Sequence, residues 1–279
     1  MSEPSDQTRP DALTQAISLV LNENSLATLI TIIETPRRVG AKMLVEESGT
    51  CVGTLGDASL DQAVSHYAAI FLASRVEAAT YSIRDFAPHL NDWLDTRILC
   101  ERIEPEPRLV ICGAGHVGAS LARLACLVGY STVLIDDRAE FVTRARFPDE
   151  SIELVLADSW TNALLRALGS GRNVAVAVVT RGHNEDEECM RAVINTRPDY
   201  VGLIGSRRRT NIVLERLRES GADEILLNEV RAPIGLDIGA VSPEEVALAI
   251  LAEVVATRRG AIGSPLSLWR RSAETRDRV

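Results

Sequence analysis

The chain lacks any run of about 18 uninterrupted apolar residues, any C-x-x-C pair and any excess of basic charge. Each absence removes a class of protein. Without the apolar run there is no segment that reads as a transmembrane helix, and the polar start MSEPSDQTRP has no apolar core of a secretory signal, so a soluble cytoplasmic protein is expected. The formal charge is −9, from 39 acidic against 30 basic residues, which opposes non-specific binding to nucleic acid or to an anionic membrane. Five scattered cysteines, Cys51, Cys100, Cys112, Cys126 and Cys189, fit reduced thiols better than a disulfide framework or a zinc knuckle. Cys112 and Cys126 stand in apolar patterns and are expected to be buried.

What is present divides in two. At 279 residues the chain is long enough for two domains, each with a core of its own. DALTQAISLVLNEN spaces Leu13, Ile17, Val20 and Leu21 for an amphipathic helix over about 11–23. Strand patterns LATLITIIE and AKMLVEE flank the loop TPRRVG, CVGTLG follows, and LDQAVSHYAAIFLAS returns to helical spacing up to Ser74. Strands are predicted around ATYSIRDF and TRILCERI, giving a small α+β domain over 1–104. The prolines of PEP, Pro105 and Pro107, mark a boundary, and 105–279 form the second domain. There strands and helices alternate five times: RLVICGAG with HVGASLARLACLVG, STVLIDD with RAEFVTRAR, SIELVLAD with SWTNALLRALG, NVAVAVVT with EDEECMRAVIN, and YVGLIGS with RRRTNIVLERLRES. The expected fold is α/β, a Rossmann-type doubly wound parallel sheet preceded by the smaller N-terminal domain. A last helix starts at SPEE, with Ser242 as cap and Glu245 completing a capping box.

The motif G-A-G-H-V-G (Gly113, Gly115, His116, Gly118) follows a strand and opens a helix. The first glycine permits a tight turn, the second admits a phosphate to the backbone, and the third lets helix pack on sheet. Asp136 ends the next strand, where an acid can bind a ribose hydroxyl; beside it Asp137 would repel a 2′-phosphate, although Arg138 could turn toward one. NAD, or another adenine- or pterin-containing phosphate ligand, is favoured over NADP. A Rossmann turn that holds no dinucleotide stays open as an alternative. Two further loops leave the carboxyl ends of predicted strands. TRGHNEDEE carries Thr180, His183 and Asn184 but no second ligand at metal spacing, so no metal site is expected. GLIGSRRRTN leads Gly205 and Ser206 into a helix opening with Arg207, Arg208 and Arg209, an arrangement that opposes the helix dipole unless an anion sits there. Arg37 and Lys42, around TPRRVGAK, are the fallback site.

The segments RLVICGAGHVG, IDDR with RARFP, GHNEDEE, YVGLIGSRRR and APIGLDIGAVSPEEVALAILAEVVATRRG together resemble the XdhC/CoxI family, accessory proteins that mature xanthine dehydrogenase and related molybdenum hydroxylases. The resemblance covers nearly all of 108–260, and TPRRVGAKMLVEE with GTLGDASLDQAV resembles the family's other domain. It implies binding of the molybdenum cofactor, as molybdopterin or its dinucleotide, protection of that cofactor while a sulfido ligand is installed, and delivery to a molybdenum hydroxylase apo-enzyme. A cysteine desulfurase and a second copy of the chain are the other implied partners. Where many members carry Gly-Gly-Cys and an acid, this chain has Gly56, Asp57, Ala58, Ser59, Leu60 and Asp61, so the soft thiolate is missing. Cys100 lies in an apolar strand pattern and does not take over that role. The alternatives are an NAD-dependent oxidoreductase, for which His183 is the candidate acid or base but no Tyr-x-x-x-Lys pair exists, and a paralogue that only docks a partner.

Overall fold

The computed structural model describes residues 10–35, 38–74, 76–169 and 172–267. The chain forms two compact units, 1–105 and 106–279.

In the first unit, α1 (Pro10–Asn22) precedes β1 (Ala27–Glu34), β2 (Lys42–Glu46), β3 (Cys51–Gly53), α2 (Ala58–Ala73), β4 (Ala78–Ser82), the short α3 (Ile83–Phe86) and β5 (Arg97–Ile103). The five strands form one antiparallel sheet in the order β3-β2-β1-β5-β4. Alternation along β1 sends Ile30 and Ile32 to one face, where Val64, Ala68 and Phe71 of α2 cover them. Ala27 and Leu29 go to the other face, against Ala16 and Val20 of α1. The strand expected through ATYSIRDF stops at Ser82. Asp85 reaches back to the Ser82 amide in a capping box, and that local hydrogen bonding turns IRDF into a helical turn.

In the second unit come β6 (Arg108–Cys112), α4 (His116–Leu127), β7 (Ser131–Asp136), β8 (Ile152–Leu156), α5 (Trp160–Leu168), β9 (Val174–Val178), α6 (His183–Ile194), β10 (Tyr200–Leu203), α7 (Arg207–Glu219), α8 (Glu224–Glu229) and α9 (Pro243–Arg258). The strands are parallel, in the order β10-β9-β6-β7-β8. Every residue of β9, VAVAV, is buried, as expected of a strand covered on both faces. One face packs against α4 and α9, the other against α5, α6 and α7. The helix expected over RAEFVTRAR is absent: only a 3-10 turn, Ala139–Phe141, follows β7. Phe141 there is held between guanidiniums rather than along a helix stripe, with Arg138 3.6 Å and Arg146 4.5 Å from its ring centroid. The last helix begins as the sequence indicates, with Ser242 and Glu245 forming the capping box and Pro243 in its first turn. Among the described residues no helix is long and apolar enough to cross a membrane.

Candidate functional site at the carboxyl edge of the parallel sheet

The register sets Cys112 of β6 level with Ile135 of β7 and Val178 of β9, so the loops after these three strands leave the sheet side by side. The glycine loop is the middle one. Gly113 has φ +110°, a left-handed conformation suited to glycine, and a Cβ there would meet the Val179 carbonyl oxygen at 2.6 Å. A Cβ on Gly118 would lie 1.8 Å from the Gly113 carbonyl oxygen, so helix and loop close on each other only because that side chain is missing. Gly115 differs from both. It caps α4 at φ −66°, and a Cβ there would meet no heavy atom within 4 Å. The backbone amides at the start of a helix carry partial positive charge, so the space over Gly115 is open and polarised toward an anion. His116, the first residue of α4, is exposed beside it.

The flanking loops are joined by charged pairs. Asp136, buried at the end of β7, accepts the Ala114 amide at 2.7 Å, the Arg138 amide at 3.0 Å, and the Arg138 Nε and Nη2 at 2.8 and 2.9 Å. Its neighbour Asp137 takes a two-pronged pair from Arg181, at 3.1 and 3.0 Å, which links the loop after β7 to the loop after β9. Because β6 lies between those strands, this pair spans the side of the sheet from which the glycine loop emerges.

On the other side, Thr180 is nearly buried and donates its hydroxyl to Asp186 Oδ1 at 2.6 Å. Asp186, itself fully buried, also accepts Arg209 Nε at 3.1 Å, tying α6 to α7. His183 and Asn184 are exposed in the first turn of α6, so His183 belongs to a helix start rather than to a free loop. Gly205 has φ +147°, a conformation that a residue with a side chain would adopt only under strain, and the Ser206 side chain accepts the Arg209 amide as the cap of α7. Of the three arginines, Arg209 is therefore engaged, while Arg207 and Arg208 are exposed and make no ion pair among the described residues. Sequence reasoning passed over Asp186, Arg181 and Phe141, and it grouped Arg209 with the anion-facing arginines, whereas Arg209 pairs with Asp186. A signal existed for Asp186: with Cys189, Met190 and Val193 it falls on the buried stripe of α6, where an acid needs a partner.

The first unit carries the remaining candidates. Lys42 opens β2 and donates to Thr31 Oγ1 at 2.7 Å, and Arg37 lies outside the described residues. In the stretch where the thiol is missing, Asp57 caps α2 through the Leu60 amide, and Asp61 accepts Thr54 Oγ1 and the Leu55 amide, so both acids serve the turn. Cys100 is buried in β5, and burial pushes its thiol up to about 12. Cys51 is exposed on β3, 3.3 Å from Ser65 Oγ, in an open cavity of about 490 Å³ that His66 also lines. Among the described residues no group of three or more His, Cys, Asp or Glu could hold a metal.

Comparison with known proteins gives this edge a context. Residues 109–254 match the XdhC Rossmann domain, and residues 20–82 match the domain described as the XdhC and CoxI family. An uncharacterized Escherichia coli protein, YqeB, is 30% identical over 244 residues, 82% of this chain and 42% of that protein. A probable xanthine dehydrogenase subunit of Bacillus subtilis is 31% identical over 172 residues, 62% of this chain and 48% of that one. The E. coli molybdenum cofactor insertion chaperone PaoD is 26% identical over 154 residues, 55% of this chain and 41% of that one. The chain thus spans less than half the length of each of these relatives. A crystal structure of a xanthine dehydrogenase from Bacillus halodurans shares the fold with a TM-score of 0.50 at 19% identity, over 91% of this chain and 98% of that one. With its Rossmann half matched from the first parallel strand into the last helix, the chain belongs to the XdhC and CoxI family.

Proposed function

We propose that the chain is an accessory factor that binds the molybdenum cofactor, or its nucleotide form, and assists its sulfuration and insertion into a xanthine dehydrogenase-type molybdenum hydroxylase. The observation that carries this reading is the open space over Gly115, where a Cβ would meet no heavy atom within 4 Å, at the positive end of α4. The cofactor is a pterin bearing a phosphate, so the phosphate is the part this edge fits. The amides at the start of α4 would hold it, with His116 beside them, and the exposed Arg207 and Arg208 at the start of α7 offer further positive charge. The relatives named for xanthine dehydrogenase and for cofactor insertion support this choice of cargo. Delivery needs a ligand held by reversible contacts, and hydrogen bonds from amides and guanidiniums are of that kind. A cysteine desulfurase as sulfur source, a molybdenum hydroxylase as recipient and self-association as a dimer complete the proposal.

The test is purification from a host that makes the cofactor, with bound ligand read by mass spectrometry and bound metal by elemental analysis. A pterin phosphate with molybdenum is expected in the parent. Gly115→Val should keep the circular dichroism spectrum and lose the ligand. Recovery of a nicotinamide dinucleotide in place of the pterin would replace this reading with an oxidoreductase.

A further inference from the structure

Asp136 stands where the acid of a dinucleotide-binding sheet accepts the ribose hydroxyls of its ligand. Here its capacity is already taken. An ionised carboxylate offers about four lone-pair positions, and the protein fills them: two at Oδ1, from the amide and Nε of Arg138, and two at Oδ2, from the Ala114 amide and Arg138 Nη2. The guanidinium is fixed in turn, because it lies 3.6 Å from the centroid of the Phe141 ring. The ring's own segment is clamped by Arg146, which donates to the Phe141 carbonyl at 3.2 Å and to the Ala114 carbonyl at 3.4 Å. Swinging Arg138 aside would cost two charge-assisted hydrogen bonds and the stacking contact together. A ribose diol therefore finds no free acceptor on Asp136.

We infer that Arg138 is a specificity residue that fills the diol acceptor from inside, so that the glycine loop rejects dinucleotides held by their ribose, NAD+ among them, and takes phosphate esters that require nothing of Asp136. The inference stands whichever phosphate ester the chain carries, since it concerns only what is refused.

It predicts a gain of binding on removing a side chain. In calorimetric titrations of the full chain with NAD+, Arg138→Ala should bind about tenfold or more tightly than the parent, the scale of one or two hydrogen bonds to a charged acceptor. Asp136→Asn added to Arg138→Ala should abolish the gain, which a general loosening of the loop would not do. If Arg138→Ala fails to fold, Arg138→Lys decides, because a single ammonium cannot occupy both carboxylate oxygens as the guanidinium does; a smaller gain is then expected. Equal NAD+ affinity in parent and variants would overturn the inference. So would tight NADP+ binding by the parent that is lost in Arg138→Ala, for the guanidinium would then be a receptor for the 2′-phosphate.

Discussion

Asp136 and Asp186 are both sealed from solvent and both face an arginine, yet they are held in opposite ways. Asp136 is paired within its own loop, with Arg138 two residues on, and it also receives two backbone amides. Burial works against its charged form, but the hydrogen bonds from Arg138 and the Ala114 amide outweigh it and hold the carboxyl below its ordinary range. Asp186 draws its partners from elsewhere, Thr180 in the loop after β9 and Arg209 on α7. There burial prevails, and the carboxyl is pushed above its ordinary value in spite of both partners. The difference separates two tasks. The pair on the β7 side stiffens one loop and closes it to a diol, whereas the pair on the β10 side fastens helices together and leaves Arg207 and Arg208 unspent at the start of α7.

The largest expected effect tests that separation directly. Arg209→Ala would leave a buried carboxylate with one hydroxyl donor, and breaking such a pair costs about 3–5 kcal/mol. Arg138→Ala keeps the Ala114 amide and the residue's own amide on Asp136, so its cost should be about 1.5–3 kcal/mol. Urea unfolding of the two variants should rank them in that order, and the reverse ranking would break the contrast.

A second effect concerns the glycines between the two regions. Gly118→Ala must move the loop, since its Cβ would sit 1.8 Å from the Gly113 oxygen, and overpacking of this kind costs about 1–3 kcal/mol. Gly115→Ala has open space and an ordinary φ, and should stay within about 0.5 kcal/mol of the parent. Similar midpoints for the two would mean that Gly115 is not where the glycine loop leaves room.

How far these regions could be read from the sequence depends on how local their causes are. The glycine loop was legible because strand, turn and helix each have a short-range pattern, and Ser242 with Glu245 announced α9 for the same reason. RAEFVTRAR was not, because its apolar spacing imitates a helix while Phe141 is held by Arg138 and Arg146 after the strand ends. Arg138 could be named as a candidate from its place after Asp136, but the filling of all four acceptors depends on Ala114, 22 residues earlier. Asp186 and Arg209 lie 23 residues apart on different helices, and only the packing of α6 against α7 brings them together.

The opposite shifts of the two acids give a smaller, pH-dependent contrast. A carboxyl lowered in the folded state adds stability above its ordinary value, near 3.8, and loses it as the pH falls through the folded value. A raised one does the reverse: its stabilisation is complete below the ordinary value and is lost as the pH rises through the folded value. Urea midpoints taken between about pH 3 and pH 7 should therefore fall less on acidification in Asp136→Asn than in the parent, and more in Asp186→Asn. Parallel slopes in the two variants would show that the acids do not differ.

The smallest effect on stability, and the sharpest on binding, is expected at Arg207 and Arg208. Both are exposed at the positive end of α7 with no acid paired to them among the described residues, so in the absence of ligand they repel each other and the helix dipole. Replacing both by alanine should leave the melting temperature unchanged or slightly raised, where Arg209→Ala lowers it. Inorganic pyrophosphate, titrated into the parent over a range of salt concentrations, should bind more weakly as salt rises because the charges involved are solvent-exposed. In the double variant the affinity should drop and its salt dependence should flatten, since two of the cations that attract the anion are gone. A melting temperature that falls as far as in Arg209→Ala would mean that all three arginines hold the fold. Unchanged pyrophosphate binding would place the anion at the glycine loop alone, and the two sides of the sheet edge would then differ in function as well as in the way their aspartates are held.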